Sequence, residues 1–275
     1  MATQPIVAEM LDGLWQFIFP EDIESEDVQD RYWHAIEILD VNPKKSSEIL
    51  SDIASRFPYF IDAHNHLGIA YKNLNLRDKS FKTAIEGYQI GRAAFPPEFD
   101  HDQDMLKWSI LENRQYLRSC HILGLEYQDK NGYDQAIDLY HDILVKNPGD
   151  NQGVRYLVFE CYLHKRNLEK GREFLEMHYD TSIEFTYGRV LIDVLTNNKD
   201  LALDNINEAI ASNKYLPQIV IESGRNKPMP YRIPGEPNFI PEGVPVGSVH
   251  EAYEYWNRNK EILSSQIVRD FFKKI

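Results

Sequence analysis

Three short runs in this chain bring metal-binding or proton-active side chains close together, and each stops short of a chemistry. His64-x-His66 sets two imidazoles two residues apart. On a helix, side chains at i and i+2 point to different sides, so the pair cannot hold one ion. His66 is expected near a helix interface and His64 at the surface. Asp100-x-Asp102-x-Asp104 begins like a calcium loop, but Met105 stands where that loop needs glycine and Leu111 where it needs a bidentate glutamate. The expected structure is an acidic loop leading into a helix over 105–127. His250-Glu251 opens a zinc-hydrolase pattern that Glu254 does not continue and no second histidine completes. Phosphate-cradling glycine loops and Cys-x-x-Cys are absent from the sequence, and nothing in it gathers a Ser, His and Asp into a triad. The chain is therefore expected to be no enzyme, with no cofactor and no metal. Its two cysteines, Cys120 and Cys161, fall on apolar helix faces, as reduced core thiols of a cytoplasmic protein do.

The elements that would position any functional side chain are clearer. Residues 120–148 run Cys120-x-x-Leu123-Gly124-x-x-Tyr127, then Ala136-x-x-x-Tyr140, then Pro148. Leu123, Gly124 and Tyr127 share one helix face. Asn131-Gly132 breaks the helix through a left-handed turn, and a second helix starts near Asp134, a candidate N-cap. Ala136 is the small residue expected to meet Gly124, and Asn147-Pro148 ends the unit. This spacing resembles the tetratricopeptide repeat, with Cys120 in place of its first tryptophan. Leu67-Gly68-x-x-Tyr71 repeats the first helix, with Ala84, Tyr88, Gly91 and Pro96 behind it, so the link there is expected to be about four residues longer. Ser46, Leu50, Ile53 and Pro58 repeat the second helix upstream, behind a helix near 27–40 that carries Trp33, Ile36 and Leu39. Downstream, Tyr162, Gly171 and Leu175 follow, then Ala202, Ile206 and Ala209.

Net charge is −13. A field of that sign disfavours nucleic acid and anionic membrane, and no apolar run approaches the roughly 20 residues that span a bilayer. The acidic run Glu21–Asp30 is expected to be a solvated linker and helix start. Val7, Met10, Leu11, Leu14, Trp15 and Ile18, interrupted by Glu9 and Asp12, predict an amphipathic helix near 5–19. Seven prolines between 217 and 245 predict an extended strap, packed through Tyr231, Ile233, Phe239, Ile240 and Val244, before a helix from Ser248 to Phe272. The fold class is all-α, an α–α solenoid or superhelix of tetratricopeptide-like hairpins, with an N-terminal helix and a proline-rich C-terminal strap plus helix. The expected organisation is 1–26 for the N-terminal helix and linker, 27–216 for about five hairpins, and 217–275 for the strap and last helix.

The segments Asn147-Pro-Gly-Asp-Asn-Gln-Gly-Val-Arg-Tyr156, Phe185-x-Tyr187-Gly188, Asn213-x-Tyr215-Leu216-Pro217 and Gly247-Ser-x-x-Glu-Ala-x-x-Tyr-Trp256 resemble bacterial tetratricopeptide proteins of unassigned activity. The C-terminal part is similar to the suppressor-of-tumorigenicity-7 family, over about 115–258. The resemblance implies a helical-repeat interaction protein. The membrane association of the family's eukaryotic members does not carry over to a chain without a spanning segment. The repeat family's geometry puts certain first-helix positions in a concave groove. Here these are Asp62, Asn65, Ile69, Lys72 and Asn73; Arg118, His121, Leu125, Gln128 and Asp129; and Tyr156, Glu160, Leu163 and His164. Asn65, Lys72, Arg118 and His121 are the candidates to grip a peptide backbone or carboxylate; Gln128, Tyr156 and Glu160 complete the nominated groove. The set departs from the chaperone-tail carboxylate clamp. Asn151, Gln152 and Arg155 are expected to cap a helix and form a polar network. The leading expectation is a scaffold or adaptor that binds a peptide or helix of another protein. The alternative is a self-assembling structural protein or regulatory subunit using its N-terminal helix, hence a homo-oligomer.

Overall fold

A computed structural model describes residues 4–11, 13–233 and 243–275. Its residues group into two compact units, Met1–Val158 and Phe159–Ile275, dividing inside the expected repeat array. The first opens with an antiparallel hairpin, β1 (Ile6–Leu11) and β2 (Leu14–Ile18). Helices α1 (Glu26–Glu37), α2 (Pro43–Arg56), α3 (Ile61–Asn73), α4 (Arg77–Arg92), α5 (Asn113–Asp129) and α6 (Tyr133–Lys146) follow, and α7 (Val154–His164) contains the division point. The second unit holds α8 (Leu168–Met177), α9 (Ile183–Leu195), α10 (Lys199–Ser212), α11 (Leu216–Ile221), α12 (Val249–Arg258), α13 (Lys260–Leu263) and α14 (Gln266–Phe272).

Four of the hairpins share one turn; the α1–α2 link, residues 38–42, is longer and has no left-handed residue. Loops 74–76, 130–132, 165–167 and 196–198 are equal in length, and the middle residue of each is left-handed: Asn75, Asn131, Arg166 and Asn197, with φ of 60°, 60°, 59° and 62°. In each, the next residue donates its N–H five positions back, as Gly132 does to the Tyr127 carbonyl at 2.8 Å. The α3–α4 link is thus no longer than its neighbours, against the sequence expectation. Ser80, not Ala84, is the residue equivalent to Ala136, and its hydroxyl donates to the Gly68 carbonyl at 2.9 Å. Ser46 does the same to Ala35 at 2.8 Å. Gly124 makes room for Tyr140 instead of Ala136: a Cβ at 124 would overlap the Tyr140 ring. Helix α6 begins at Tyr133 after Gly132, with no side-chain cap from Asp134.

The N-terminal helix is corrected to a β-hairpin. Trp15 and Phe17 alternate inward while Ile18 faces out, a period of two. The sequence carries Asp12-Gly13, a favoured hairpin-turn dipeptide, and Gly13 has φ of 67°. In the acidic run, a 3-10 turn over Glu21–Glu24 buries Ile23 before α1 starts. The acidic loop does not lead into a helix at 105: Met105 pairs with Leu14, Leu106 is buried, and α5 starts at Asn113.

The strap is corrected at both ends. Pro217 sits in the first turn of α11, where its missing N–H costs nothing. Residues 225–233 are without helix or strand; Pro234, Pro237, Phe239, Ile240 and Pro241 lie outside the described residues. The single helix expected from Ser248 is three, broken at Asn259 and at Ser264–Ser265, where Ser265 turns extended with ψ of 146°.

Candidate partner-binding groove

In the first unit a groove of 340 Å³ runs across the first helices of three successive hairpins. Tyr32 and Trp33 come from α1, Asp62 from α3, and Arg114, Gln115 and Arg118 from α5, with Leu111 at the entry. Trp33 and Leu111 are 57% and 63% exposed. A larger cavity of 490 Å³, lined by Pro5, Pro58, Tyr59, Gln89 and their neighbours, has no charged side chain in its wall.

The floor of the groove is a polar tie between α3 and α5. Arg118 chelates buried Asp62, Nε at 3.0 Å from Oδ1 and Nη2 on Oδ2. Asn65 is fully buried; its Nδ2 donates to Asp62 Oδ1 and to the Gln115 carbonyl, both at 2.9 Å. Gln115 Oε1 accepts the Asp62 N–H at 3.2 Å. His66 Nδ1 lies 2.9 Å from both the Tyr32 hydroxyl and the Asp62 carbonyl. Burial, then the Asp62 carboxylate, pushes the Tyr32 phenol up, and burial pushes the His66 imidazole down.

The nominated residues divide by what they touch. Lys72 is 2.8 Å from Asp129 and 3.6 Å from Glu126, which is buried and accepts from Ser80 at 2.8 Å. Lys72 is thus held by its own carboxylates. His121 Nδ1 lies 3.3 Å from Gln152 Nε2, and burial pushes the imidazole down to about 4. Gln128 accepts from the Tyr140 hydroxyl. Tyr156 is half-buried with the Arg155 guanidinium 5.3 Å over its ring. Glu160, in the second unit, is buried: Arg258 Nε is 3.0 Å and Asn259 Nδ2 3.2 Å away, and Arg258 also holds Glu184 at 2.7 Å. An open groove position is not what Glu160 occupies, because α12 covers it. His64, expected at the surface, is buried, with Nε2 3.0 Å from the Pro58 carbonyl. Asn151, Gln152 and Arg155 bond separately, Asn151 to Asn147 at 3.3 Å, Gln152 to the Leu117 carbonyl at 3.2 Å and Arg155 to Asp150 at 3.3 Å. Asp150 is the cap, accepting from the N–H groups of Val154 at 2.8 Å and Arg155 at 3.1 Å.

Trp33, Leu111 and Arg114 were not nominated by the sequence. Trp33 belongs to a hairpin without the Leu-Gly signature, so it received no groove register. Leu111 and Arg114 flank the start of α5, ahead of Arg118, the first residue of that helix that the repeat geometry assigns to the groove. An exposed leucine beside an arginine, in a connection longer than a hairpin turn, was the available signal.

Among the described residues no group of three or more His, Cys, Asp or Glu is arranged to hold a metal, and no helix is long and apolar enough to cross a membrane. Burial raises both thiols, Cys161 to about 12.

No family model matches the chain, and no curated protein matches it. Solved structures do. Two crystal structures of a Podosopora anserina putative kinesin light chain with nearly identical TPR-like repeats, one of them a point variant, align at TM-score 0.50. The variant is 10% identical, over 67% of this chain and 93% of that one; the other is 11% identical, over 73% and 98%. The likeness is one of fold: this chain has a TPR-like helical-repeat fold, mostly helical, with one small sheet among the described residues.

Proposed function

We propose that the chain is a protein-interaction scaffold that holds a peptide or helix of another protein across α1, α3 and α5. The observation that carries this is the 340 Å³ groove itself, where exposed Trp33 and Leu111 stand beside Arg114, with Arg118 tied to Asp62 and Glu24 and Glu112 in the same wall. Exposed apolar side chains flanked by arginine are the composition of interface anchors. The second unit offers a parallel within the chain: first-helix residues Glu160 and Glu184 already carry a helix, α12, through Arg258. Photocrosslinking tests the reading. A benzophenone side chain at position 33 should capture a partner from the source cell, and Leu111→Asp should abolish capture. Equal capture from position 41, on the exposed α1–α2 loop, would sink it.

A second reading, self-association, keeps one specific support. Ile6, Met10, Leu11 and Ile18 of the β-hairpin are all exposed. Light scattering that finds the same monomeric mass for the native chain and for Met10→Lys/Leu11→Lys would end this reading.

A further inference from the structure

Arg114 belongs to two cavities. It lines the groove, and it also lines a neighbouring cavity of 570 Å³ with Lys107, Trp108, Ser109, Asn147 and Asn151. No carboxylate lines this second cavity.

The guanidinium is held in place. Arg114 Nε donates to the Trp108 carbonyl at 2.8 Å, and the group stacks 5.1 Å from the centroid of the Trp108 ring. Trp108 is fixed in turn, its N–H donating to Oδ1 of buried Asn147 at 3.2 Å. Nη1 and Nη2 of Arg114 have no partner among the described residues. That sets it apart from the other buried or half-buried cations of this unit. Arg31 pairs with Asp52, Lys72 with Asp129, Arg118 with Asp62, Lys146 with Asp142 and Arg155 with Asp150. The chain has 43 acidic side chains against 30 basic ones, so carboxylates are not scarce; Glu24 and Glu112 even line the groove with Arg114, yet none among the described residues forms an ion pair with it. The half-buried side chain keeps its two Nη groups open to solvent, and a planar fork with two free N–H edges suits a bidentate carboxylate.

We infer that the Arg114–Trp108 cavity takes the carboxylate of an aspartate or glutamate in the peptide whose apolar residue lies on Trp33 and Leu111. The inference deepens the groove reading and rests on it. A polyanion is the wrong ligand for a chain of charge −13; a single acidic side chain beside an apolar anchor fits both cavities.

The indole N–H signals of Trp33 and Trp108, in ¹⁵N-labelled full chain, report the two cavities separately. The probes are acetyl-Leu-Ala-Glu-amide, its Gln counterpart, and inorganic phosphate. The acidic peptide is expected to move both signals. The Gln peptide should move only Trp33, with affinity on the order of ten-fold weaker. Arg114→Gln should weaken the acidic peptide by the same factor and leave the Gln peptide unchanged. Arg114→Lys, which keeps the charge and loses the fork, should fall between. Equal affinity for the two peptides, an unchanged Arg114→Gln, or a Trp108 signal that answers only to phosphate would each overturn the carboxylate site while leaving the groove reading intact. Silence of both signals toward both peptides at millimolar concentration would overturn the two together.

Discussion

At the scale of single residues, the hairpin turn is the informative position. Three of the four loops place asparagine at φ near +60°, where its short polar side chain is tolerated. The fourth places Arg166 there, at φ 59° and exposed. Arg166→Asn should therefore stabilise the chain by about 0.5–1 kcal/mol, seen as a higher denaturant midpoint with unchanged slope. His121 gives a second residue-scale expectation. The Gln152 amide lies 3.3 Å from Nδ1, and burial keeps the ring neutral. Its folded-state pKa, about 4, lies below the ordinary 6.5. The folded state thus resists protonation, and the stability present above pH 6.5 is lost as pH falls toward 4. Melts across that range should show a loss on the order of 1–3 kcal/mol. His121→Asn, which keeps an acceptor and cannot titrate, should flatten that limb; an unchanged limb would place the acid sensitivity elsewhere.

At the scale of elements, the hairpin over 120–148 was legible because Gly124, Tyr127, Asn131 and Pro148 each make a local demand on backbone or packing. The α3–α4 register was not. Ser80 is a polar residue at a close-approach position, acceptable because the Gly68 carbonyl and the Glu126 carboxylate both lie within reach of its hydroxyl, and these acceptors lie across the turn and in the next hairpin. The candidate site failed to show for the same reason at longer range. A helix position can be assigned to a face, but whether its charge is free depends on residues 56 apart for Arg118 and Asp62, or 98 apart for Arg258 and Glu160. The Arg258 tie yields a prediction of its own. Burial already raises the Glu184 carboxyl, with Arg258 pulling it back. Arg258→Gln leaves buried Glu160 and half-buried Glu184 without a cation, at a cost of about 2–4 kcal/mol near pH 8. A raised carboxyl pKa means stability present at low pH and lost as pH rises, so the deficit should shrink at pH 5. Proteolysis within α12 should follow the same trend, and a deficit independent of pH would remove Glu184 from the explanation.

At the scale of the whole first unit, the N-terminal hairpin changes what kind of repeat protein this is. In an open array each hairpin leans only on its neighbours, so stability is a sum of local terms. Here the first strands are fixed to the middle of the unit. Val7 N–H donates to the Ala94 carbonyl at 2.9 Å, and Trp15 and Gly13 exchange backbone bonds with Met105 at 2.9 and 2.8 Å. Buried Asn113 spans both partners: its Oδ1 accepts the Phe17 N–H at 2.9 Å and its Nδ2 donates to the Trp15 carbonyl at 3.0 Å. Phe17 stacks on Tyr116 of α5, centroids 5.5 Å apart. The alternation of Trp15 and Phe17 was visible in the sequence; their partner, 96 residues away, was not. Because Asn113 also begins α5, the side chain that receives the hairpin sits on the helix that supplies Arg114 and Arg118 to the groove. Asn113→Ala orphans a buried donor and a buried acceptor and should cost on the order of 2–4 kcal/mol. Hydrogen exchange discriminates the two architectures. A closed unit predicts that Asn113→Ala accelerates exchange in the β-hairpin, in residues 94–112 and in the first turns of α5 together, with α1 and α2 less affected. Exchange that rises only in α5 and its immediate neighbours would return the molecule to an open array whose N-terminus is an appendage.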